Sequence, residues 1–137
     1  MTLIVLDTNV LVSGLLHEVS IPGNIVDLAV TRKIRLAVDE RILQEYDEVT
    51  IRPYLGIPHA LRSRVITKFI LDSLWVEAHP LPITLGRVID PKDLPFAEVA
   101  VAAGVDALVT GNVRHFTFLA EYKVKVLTPA QFTVNFR

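Results

Sequence analysis

Acidic and polar residues lie just beyond the apolar segments of this 137-residue chain. Asp7 follows the apolar run LIVL at 3–6, and Asn112 follows a second apolar run at 107–110. Glu45 lies inside one helix-like segment, and Asp90 and Asp93 lie just before another. Oxygen donors of this kind are suited to binding a hard divalent cation if the fold brings them together.

Each of these acids also has an ordinary structural interpretation. Asp7, like Thr8 and Asn9 after it, suits an Asx turn or the N-cap of a following helix. Glu45 suits a solvated helix face, paired with Arg41 four residues earlier. Asp93 is a natural N-cap for the helix that follows it. Taken singly, these residues therefore leave a structural and a functional role open.

Acidic side chains that lie close together need a positive charge to neutralise them. Carboxylates held close together repel one another and have raised pKa values unless a cation neutralises them. The chain has no cysteine and no pair of histidines at helical spacing, so oxygen donors would select Mg²⁺ or Mn²⁺. Since Mg²⁺ takes only one or two protein carboxylates per ion, the acids could hold one ion or two.

Apolar runs that alternate with helical segments predict the elements that would position these acids. The predicted strands are residues 3–6, 34–38, 75–78, 107–110 and 124–127. The predicted helices are residues 20–33, 41–49, 59–74 and 96–103, with a terminal turn from Pro129 and a loop at 79–90. Ser20 and Asp39 are predicted N-caps, and Gly104 a predicted C-terminal stop.

This alternation predicts a three-layer α/β/α fold with a parallel sheet and right-handed crossovers, in a single domain over residues 1–137. In such a sheet, ligands collect beyond the carboxyl ends of the strands, at the point where the strand order reverses. The predicted position of Asp7 is at this edge.

Composition excludes several classes of protein. The chain is 51% hydrophobic with a net charge of −1, which argues against disorder and against nucleic-acid binding by bulk charge alone. No apolar run reaches the length of a membrane-spanning helix, and the N-terminus does not resemble a secretory signal. Together with the absence of cysteine, these features predict a cytoplasmic protein.

The motifs taken together resemble those of PIN-domain ribonucleases. The resemblance covers nearly the whole chain, in the segments LDTNVLVSGLL at 6–16, ILQEYDEV at 42–49, DPKDLPFAEVAVAAG at 90–104 and ALVTGNVRHF at 107–116. It implies a PIN-like parallel sheet flanked by helices, an acidic Mg²⁺ or Mn²⁺ site, and cleavage of single-stranded RNA. The DPxD…TGNxRHF form is similar to the VapC-like toxins of toxin–antitoxin systems.

The resemblance also assigns roles by position. Asp7, Glu45 and Asp93 match the catalytic, metal-binding acids of the family, and Asp90 is an auxiliary metal ligand. Asn112 stands where the family often has a fourth acid, and its amide adds no negative charge, which argues against a fully occupied second metal site. Three polar neighbours are expected to orient the acids: Thr8, Asn9 and Thr110.

The basic residues give less specific predictions of function than the acids do. Arg114 and His115 are expected at the rim of the site, where they would meet an RNA phosphate. Two other basic clusters, residues 32–35 and 62–68, are interpreted as solvated faces, and Glu98 as a surface residue. Trp75 is expected in the core or in an interface.

The partners implied are single-stranded RNA, an antitoxin protein and a second copy of the chain in a homodimer or higher oligomer. One alternative is the same fold with a degraded site, serving as an RNA-binding or scaffold domain; Asn112 favours it and the three retained acids oppose it. A phosphoacceptor regulatory domain ranks low, because no acidic pair follows the first strand. A dinucleotide-binding domain is excluded by the absence of G-x-G-x-x-G.

Overall fold

A computed structural model describes residues 1–82, 87–88 and 90–136 of the chain. Within these ranges, five strands form one parallel sheet in the order β3-β2-β1-β4-β5. The strands are β1 (Leu3–Leu6), β2 (Arg35–Val38), β3 (Leu74–Trp75), β4 (Ala107–Val109) and β5 (Val126–Leu127). The central strands β1, β2 and β4 are buried except at the first residues of β1 and β2, as parallel strands covered on both faces must be. The edge strands β3 and β5 contain no fully buried residue.

The α-helices of the described chain are α1 (Thr8–Leu16), α2 (Ile21–Val30), α3 (Glu40–Thr50), α4 (His59–Asp72), α5 (Leu94–Ala103) and α6 (Pro129–Asn135). The described ranges also contain 3₁₀ segments at Pro53–Leu55, Pro91–Asp93 and Val113–Tyr122. None of these helices has the length and apolar composition that crossing a membrane requires.

The strand order reverses beside β1. The chain passes from β1 outward to β2 and β3, then returns to place β4 on the other side of β1. The carboxyl ends of β1 and β4 are therefore neighbours at the switch point of the sheet, and Asp7 and Thr110 follow these two strands directly.

Helices cover both faces of the sheet. Helix α5 packs on β1, β2 and β4 and contacts the Val113–Tyr122 segment, whereas α2 contacts α1, α4 and α6 in the opposite layer. Gly14 allows α1 to pack against α2, since a Cβ there would lie 2.7 Å from a methyl group of Val26. The result is the predicted three-layer α/β/α fold.

An aromatic cluster anchors α3 against the sheet. The ring of Tyr46 is fully buried, and its centroid lies 6.1 Å from that of Phe69 and 6.4 Å from that of Phe96. The Tyr46 hydroxyl donates a hydrogen bond to the carbonyl oxygen of Leu6, at the end of β1. Helix α3 is thereby fixed beside the strand that precedes Asp7.

Most of the predicted elements are confirmed, with corrections at their ends. The Ser20 side chain accepts from Gly23 N at 3.0 Å and that of Asp39 from Ile42 N at 3.0 Å, as predicted for N-caps. Gly104 ends α5 with a φ of 59°. Helix α2 ends at Val30 rather than at residue 33, and β3 covers 74–75 rather than 75–78.

Other predictions are wrong or untested. Helix α1 is not among the predicted elements, and neither are the 3₁₀ turns of Val113–Tyr122, which meet at a kink at Phe116. Trp75 is half exposed at the edge strand and not in the core. The predicted loop at 79–90 includes residues 83–86 and 89, which lie outside the described residues. The assignment of residues 1–137 to a single domain stays a prediction.

Candidate active site

A cleft of about 800 Å³ opens at the carboxyl edge of the sheet. Its walls are formed by α1 and α3 and by the turn before α5, and the loop after β4 adds to its lining. All of the acids singled out from the sequence line it: Asp7, Glu45, Asp90 and Asp93. Asn112 and His115 also contribute to the lining.

Asp7 is buried, with 7% of its surface exposed. It occupies the N-cap position of α1, yet its side chain makes no capping hydrogen bond. Instead, its Oδ2 accepts a hydrogen bond of 2.7 Å from the Thr110 hydroxyl, across the switch point of the sheet. The interpretation of Asp7 as a side-chain cap is therefore wrong.

The surroundings of Asp7 disfavour its ionised form. Burial raises its pKa from the ordinary 3.8 to about 6, since desolvation outweighs the hydrogen bonds from the Thr110 hydroxyl and the Thr8 backbone. The negative charges of Asp93 and Glu45 contribute smaller parts of this same rise. This is the mutual effect expected of acids that share a site without a cation.

Glu45 is held from the neighbouring helix. It lies in the middle of α3, and its Oε2 accepts a hydrogen bond from the hydroxyl of Thr8, in the first turn of α1. The predicted pair with Arg41 does not form, because Arg41 contacts Asp39 at 2.8 Å and Glu98 at 2.7 Å instead. Glu98, expected on the surface, is buried beneath this contact.

Asp93 is likewise free of a capping role. It precedes α5 without a side-chain capping bond, and its Oδ2 lies 2.9 Å from Nδ1 of His115. Burial raises the pKa of Asp93, as does the charge of Asp90, whereas His115 opposes this shift through its hydrogen bond and charge. Asp90 accepts a hydrogen bond of 3.0 Å from Lys92 N, so it shapes the turn that presents Asp93.

The loop after β4 ties the polar residues together. The Thr110 hydroxyl, which donates to Asp7, accepts a hydrogen bond of 2.9 Å from Asn112 N. The Asn9 side chain accepts one of 3.2 Å from Gly111 N. Thr8 and Thr110 thus contact the acids directly, while Asn9 fixes the loop that carries Asn112.

The two basic residues predicted at the rim differ in position. His115 lines the cleft and contacts Asp93, whereas Arg114 is exposed and does not contribute to the lining. Sequence reasoning missed Arg41, Arg52 and Lys92, which do line the cleft. Only their positions near Glu45 and Asp93 in the chain could have indicated them.

The chemistry of the donors fits a hard cation, although no complete ligand set is assembled. Among the described residues, no three Asp, Glu or His side chains are close enough to hold a metal ion together. Asp7 nevertheless offers a buried carboxylate and Asp93 a partly buried one, and desolvation raises the pKa of each. A Mg²⁺ ion that keeps most of its water needs only one or two such ligands.

Comparison with protein families identifies the class of the molecule. The model of the PIN domain matches residues 3–114, which include Asp7, Glu45, Asp93 and Asn112. The chain therefore belongs to the PIN-domain family, whose members are generally nucleases and commonly metal-dependent ribonucleases. No curated protein matches the chain.

Proposed function

We propose that this protein is a metal-dependent endoribonuclease that hydrolyses phosphodiester bonds of single-stranded RNA with Mg²⁺ or Mn²⁺. The observation that carries the proposal is the state of Asp7: a buried carboxylate with a pKa raised to about 6, in one cleft with Asp93 and Glu45. Such an arrangement costs stability, and a bound cation would relieve it.

In this proposal some side chains bind the cation and others orient the side chains that bind it. Asp7 and Asp93 would hold the cation, with Glu45 and Asp90 adding negative charge. When bound, the cation supplies Lewis acidity and neutralises charge that develops on the phosphate. The Thr110 hydroxyl orients Asp7, the Thr8 hydroxyl orients Glu45, and His115 orients Asp93. Asn112 would contribute a neutral amide to the substrate side of the cleft.

The proposal is tested with purified protein and a labelled single-stranded RNA. Cleavage is expected with millimolar Mn²⁺ or Mg²⁺ and should stop with EDTA. Thermal unfolding should shift upward with the metal, since a ligand at 100-fold over its Kd adds about 2.7 kcal/mol of stability. Metal binding without cleavage of any RNA would contradict the ribonuclease assignment.

A degraded site is the alternative, favoured by Asn112 and by the absence of a preassembled three-ligand group in the described part of the chain. In that case the protein would bind RNA or serve as a scaffold without turnover. Asn112→Asp distinguishes the two functions. If the natural site is inactive for want of the fourth acid, this variant gains metal-dependent cleavage, whereas an already active enzyme changes little.

We further propose that this nuclease is the toxin of a type II toxin–antitoxin pair and acts on RNA in the cytoplasm, where an antitoxin protein would block the acidic cleft. The support is the DPxD…TGNxRHF form of residues 90–116. Induced expression in a bacterial host should arrest growth, and Asp7→Asn should abolish the arrest. Normal growth in the presence of active, soluble nuclease would contradict the toxin role.

A homodimer or higher oligomer is the quaternary structure that we propose. Apolar side chains lie exposed beside the edge strand β3, with Leu71 exposed by 72% and Ile70 and Trp75 by about half. A second copy that covered them would remove this surface from water. Light scattering should give a multiple of 15.3 kDa, and Leu71→Lys should yield the monomer; a monomeric unaltered protein would refute the proposal.

A further inference from the structure

Three Arg and Lys side chains line the cleft, and they differ in how their charges are satisfied. Arg41 is bound by Asp39 and Glu98. Arg52 and Lys92 form no ion pair with any of the residues that the structure describes. Glu48, four residues before Arg52, also lines the cleft but does not pair with it. Arg52 and Lys92 therefore present uncompensated positive charges to a cleft in which acidic side chains predominate.

Arg52 stands at the end of the cleft that is remote from α5. Helix α3 begins near α5, where Arg41 contacts Glu98, and it ends near α4, where Thr50 accepts a hydrogen bond from Arg62. Arg52 follows that second end, seven residues after Glu45. At 1.5 Å per helical residue, the separation along the axis is about 10 Å. Stacked nucleotides rise about 3.4 Å each, so this distance corresponds to roughly three nucleotides.

An exposed aromatic ring accompanies Arg52. Tyr54, in the 3₁₀ turn Pro53–Leu55, is exposed by 77%, and its hydroxyl lies 3.5 Å from Nη1 of Arg52. A solvent-facing aromatic beside a guanidinium is the combination with which proteins bind single-stranded nucleic acid: the cation binds a phosphate and the ring stacks on a base. Between this pair and Glu45 the cleft wall includes Glu48 and Val49.

We propose that Arg52 and Tyr54 form a binding site for a nucleotide about three positions along the RNA from the scissile phosphate. The guanidinium of Arg52 binds the phosphate of that nucleotide, and the ring of Tyr54 stacks on its base. The RNA strand then lies along α3, from the acids at Asp7 to the far end of the cleft. This inference rests on the proposed function, because it assigns the path of the RNA through that same cleft.

The test measures binding and cleavage separately. Affinity is measured by fluorescence anisotropy with a labelled hexaribonucleotide, in EDTA and in an Asp7→Asn background, so that neither cleavage nor metal loading affects the result. Arg52→Gln should weaken binding roughly tenfold at low salt and reduce the slope of log Kd against log salt by about 0.7, the value for one phosphate contact on a single strand. Tyr54→Ala should weaken binding by about tenfold or more, whereas Tyr54→Phe should retain most of the affinity.

Arg64→Gln is the matched control, since Arg64 is exposed on α4 and does not line the cleft. In the catalytically intact protein, the loss of cleavage caused by Arg52→Gln should grow from dinucleotide to hexanucleotide, because the shorter RNA cannot reach Arg52. If the unaltered protein cleaves RNA while Arg52→Gln and Tyr54→Ala match Arg64→Gln in affinity and salt slope, the inference is overturned and the proposed function stands.

If binding changes as expected but no metal supports cleavage, the proposed function fails and the binding site remains. A protein that does not bind the hexanucleotide overturns both.

Discussion

Asp7 and Arg62 are both charged and both only 7% exposed, but their surroundings are opposite. The guanidinium of Arg62 donates to the Thr50 hydroxyl at 2.9 Å, to the Asp47 carbonyl at 3.0 Å and to the Asp47 carboxylate. Asp7 receives one side-chain hydrogen bond, from Thr110, and has two further carboxylates nearby. One buried charge is satisfied by the fold and the other is not.

The contrast separates a structural role from a functional one. A buried charge with a full set of partners holds elements together, and Arg62 joins α4 to α3 in this way. A buried charge among like charges costs stability, so its retention indicates a ligand that arrives later. Four predictions, made with three substitutions, test this distinction.

The largest effect is expected from Asp7→Asn on catalysis. Loss of the carboxylate removes the proposed metal ligand while the side chain keeps its size. Cleavage of single-stranded RNA should then fall by about 100-fold to 1000-fold, as when one charge-stabilising group is removed from an active site. Asp27→Asn makes the same chemical change at an exposed position of α2 and should retain full activity. Equal activity of the two variants would remove Asp7 from the site.

The same Asp7→Asn substitution should stabilise the metal-free protein. The folded state binds the Asp7 proton more tightly than the unfolded state, so stability falls as the pH rises from about 4 to about 6. A rise in pKa from 3.8 to about 6 corresponds to about 3 kcal/mol. Chemical denaturation should therefore show Asp7→Asn more stable by up to this amount at pH 7, and the difference should vanish near pH 4. A variant that is less stable at pH 7 would show that Asp7 is satisfied by the fold after all.

Arg62→Met should have the reverse profile. The variant leaves the Thr50 hydroxyl and the Asp47 carbonyl without their donor, and the free energy of unfolding should fall by about 1–3 kcal/mol. Cleavage per folded molecule should be unchanged, because Arg62 lies outside the cleft. Arg64→Met, on the exposed face of the same helix, should change stability by no more than about 0.5 kcal/mol. A catalytic defect in Arg62→Met would contradict the assignment of a purely structural role to Arg62.

Thr110→Val should give the smallest effect of the four. The hydroxyl of Thr110 lowers the pKa of Asp7, so its removal should raise that pKa further and move the acidic limb of the pH–rate profile to higher pH. Cleavage should fall by about tenfold at neutral pH, as for other groups that orient a metal ligand. An unshifted profile would indicate that Thr110 supports only the loop, through its bond from Asn112 N.

Local signals in the sequence predicted most of the fold. Ser20, Asp39 and Gly104 were identified because capping depends on a few neighbouring residues. Helix α1 was missed because it follows β1 without a break and its apolar residues lie on several sides, so no periodicity separates it from the strand. The observed bounds of β3 differ from the predicted ones because only two of its residues pair with β2. Which residues pair is decided by the position of β2 and not by the local sequence.

The acids were predictable and their surroundings were not. Asp7, Glu45 and Asp93 stand at places that the topology brings to one cleft. The burial of Arg62 and of Glu98 depends on how α3 packs on α4 and α5, which a single helix does not reveal. Arg52 carries no motif, and its position is known only once the direction of α3 is known.

Glu45 and Tyr46 are consecutive on α3, yet one faces the cleft and the other fills the interior. A helix that turns 100° per residue cannot move one without the other. Because the Tyr46 phenol is bonded to the backbone just before Asp7, the aromatic packing sets the spacing between two of the acids. Substitutions that enlarge or shrink this aromatic cluster would therefore change the spacing of the acids without touching them.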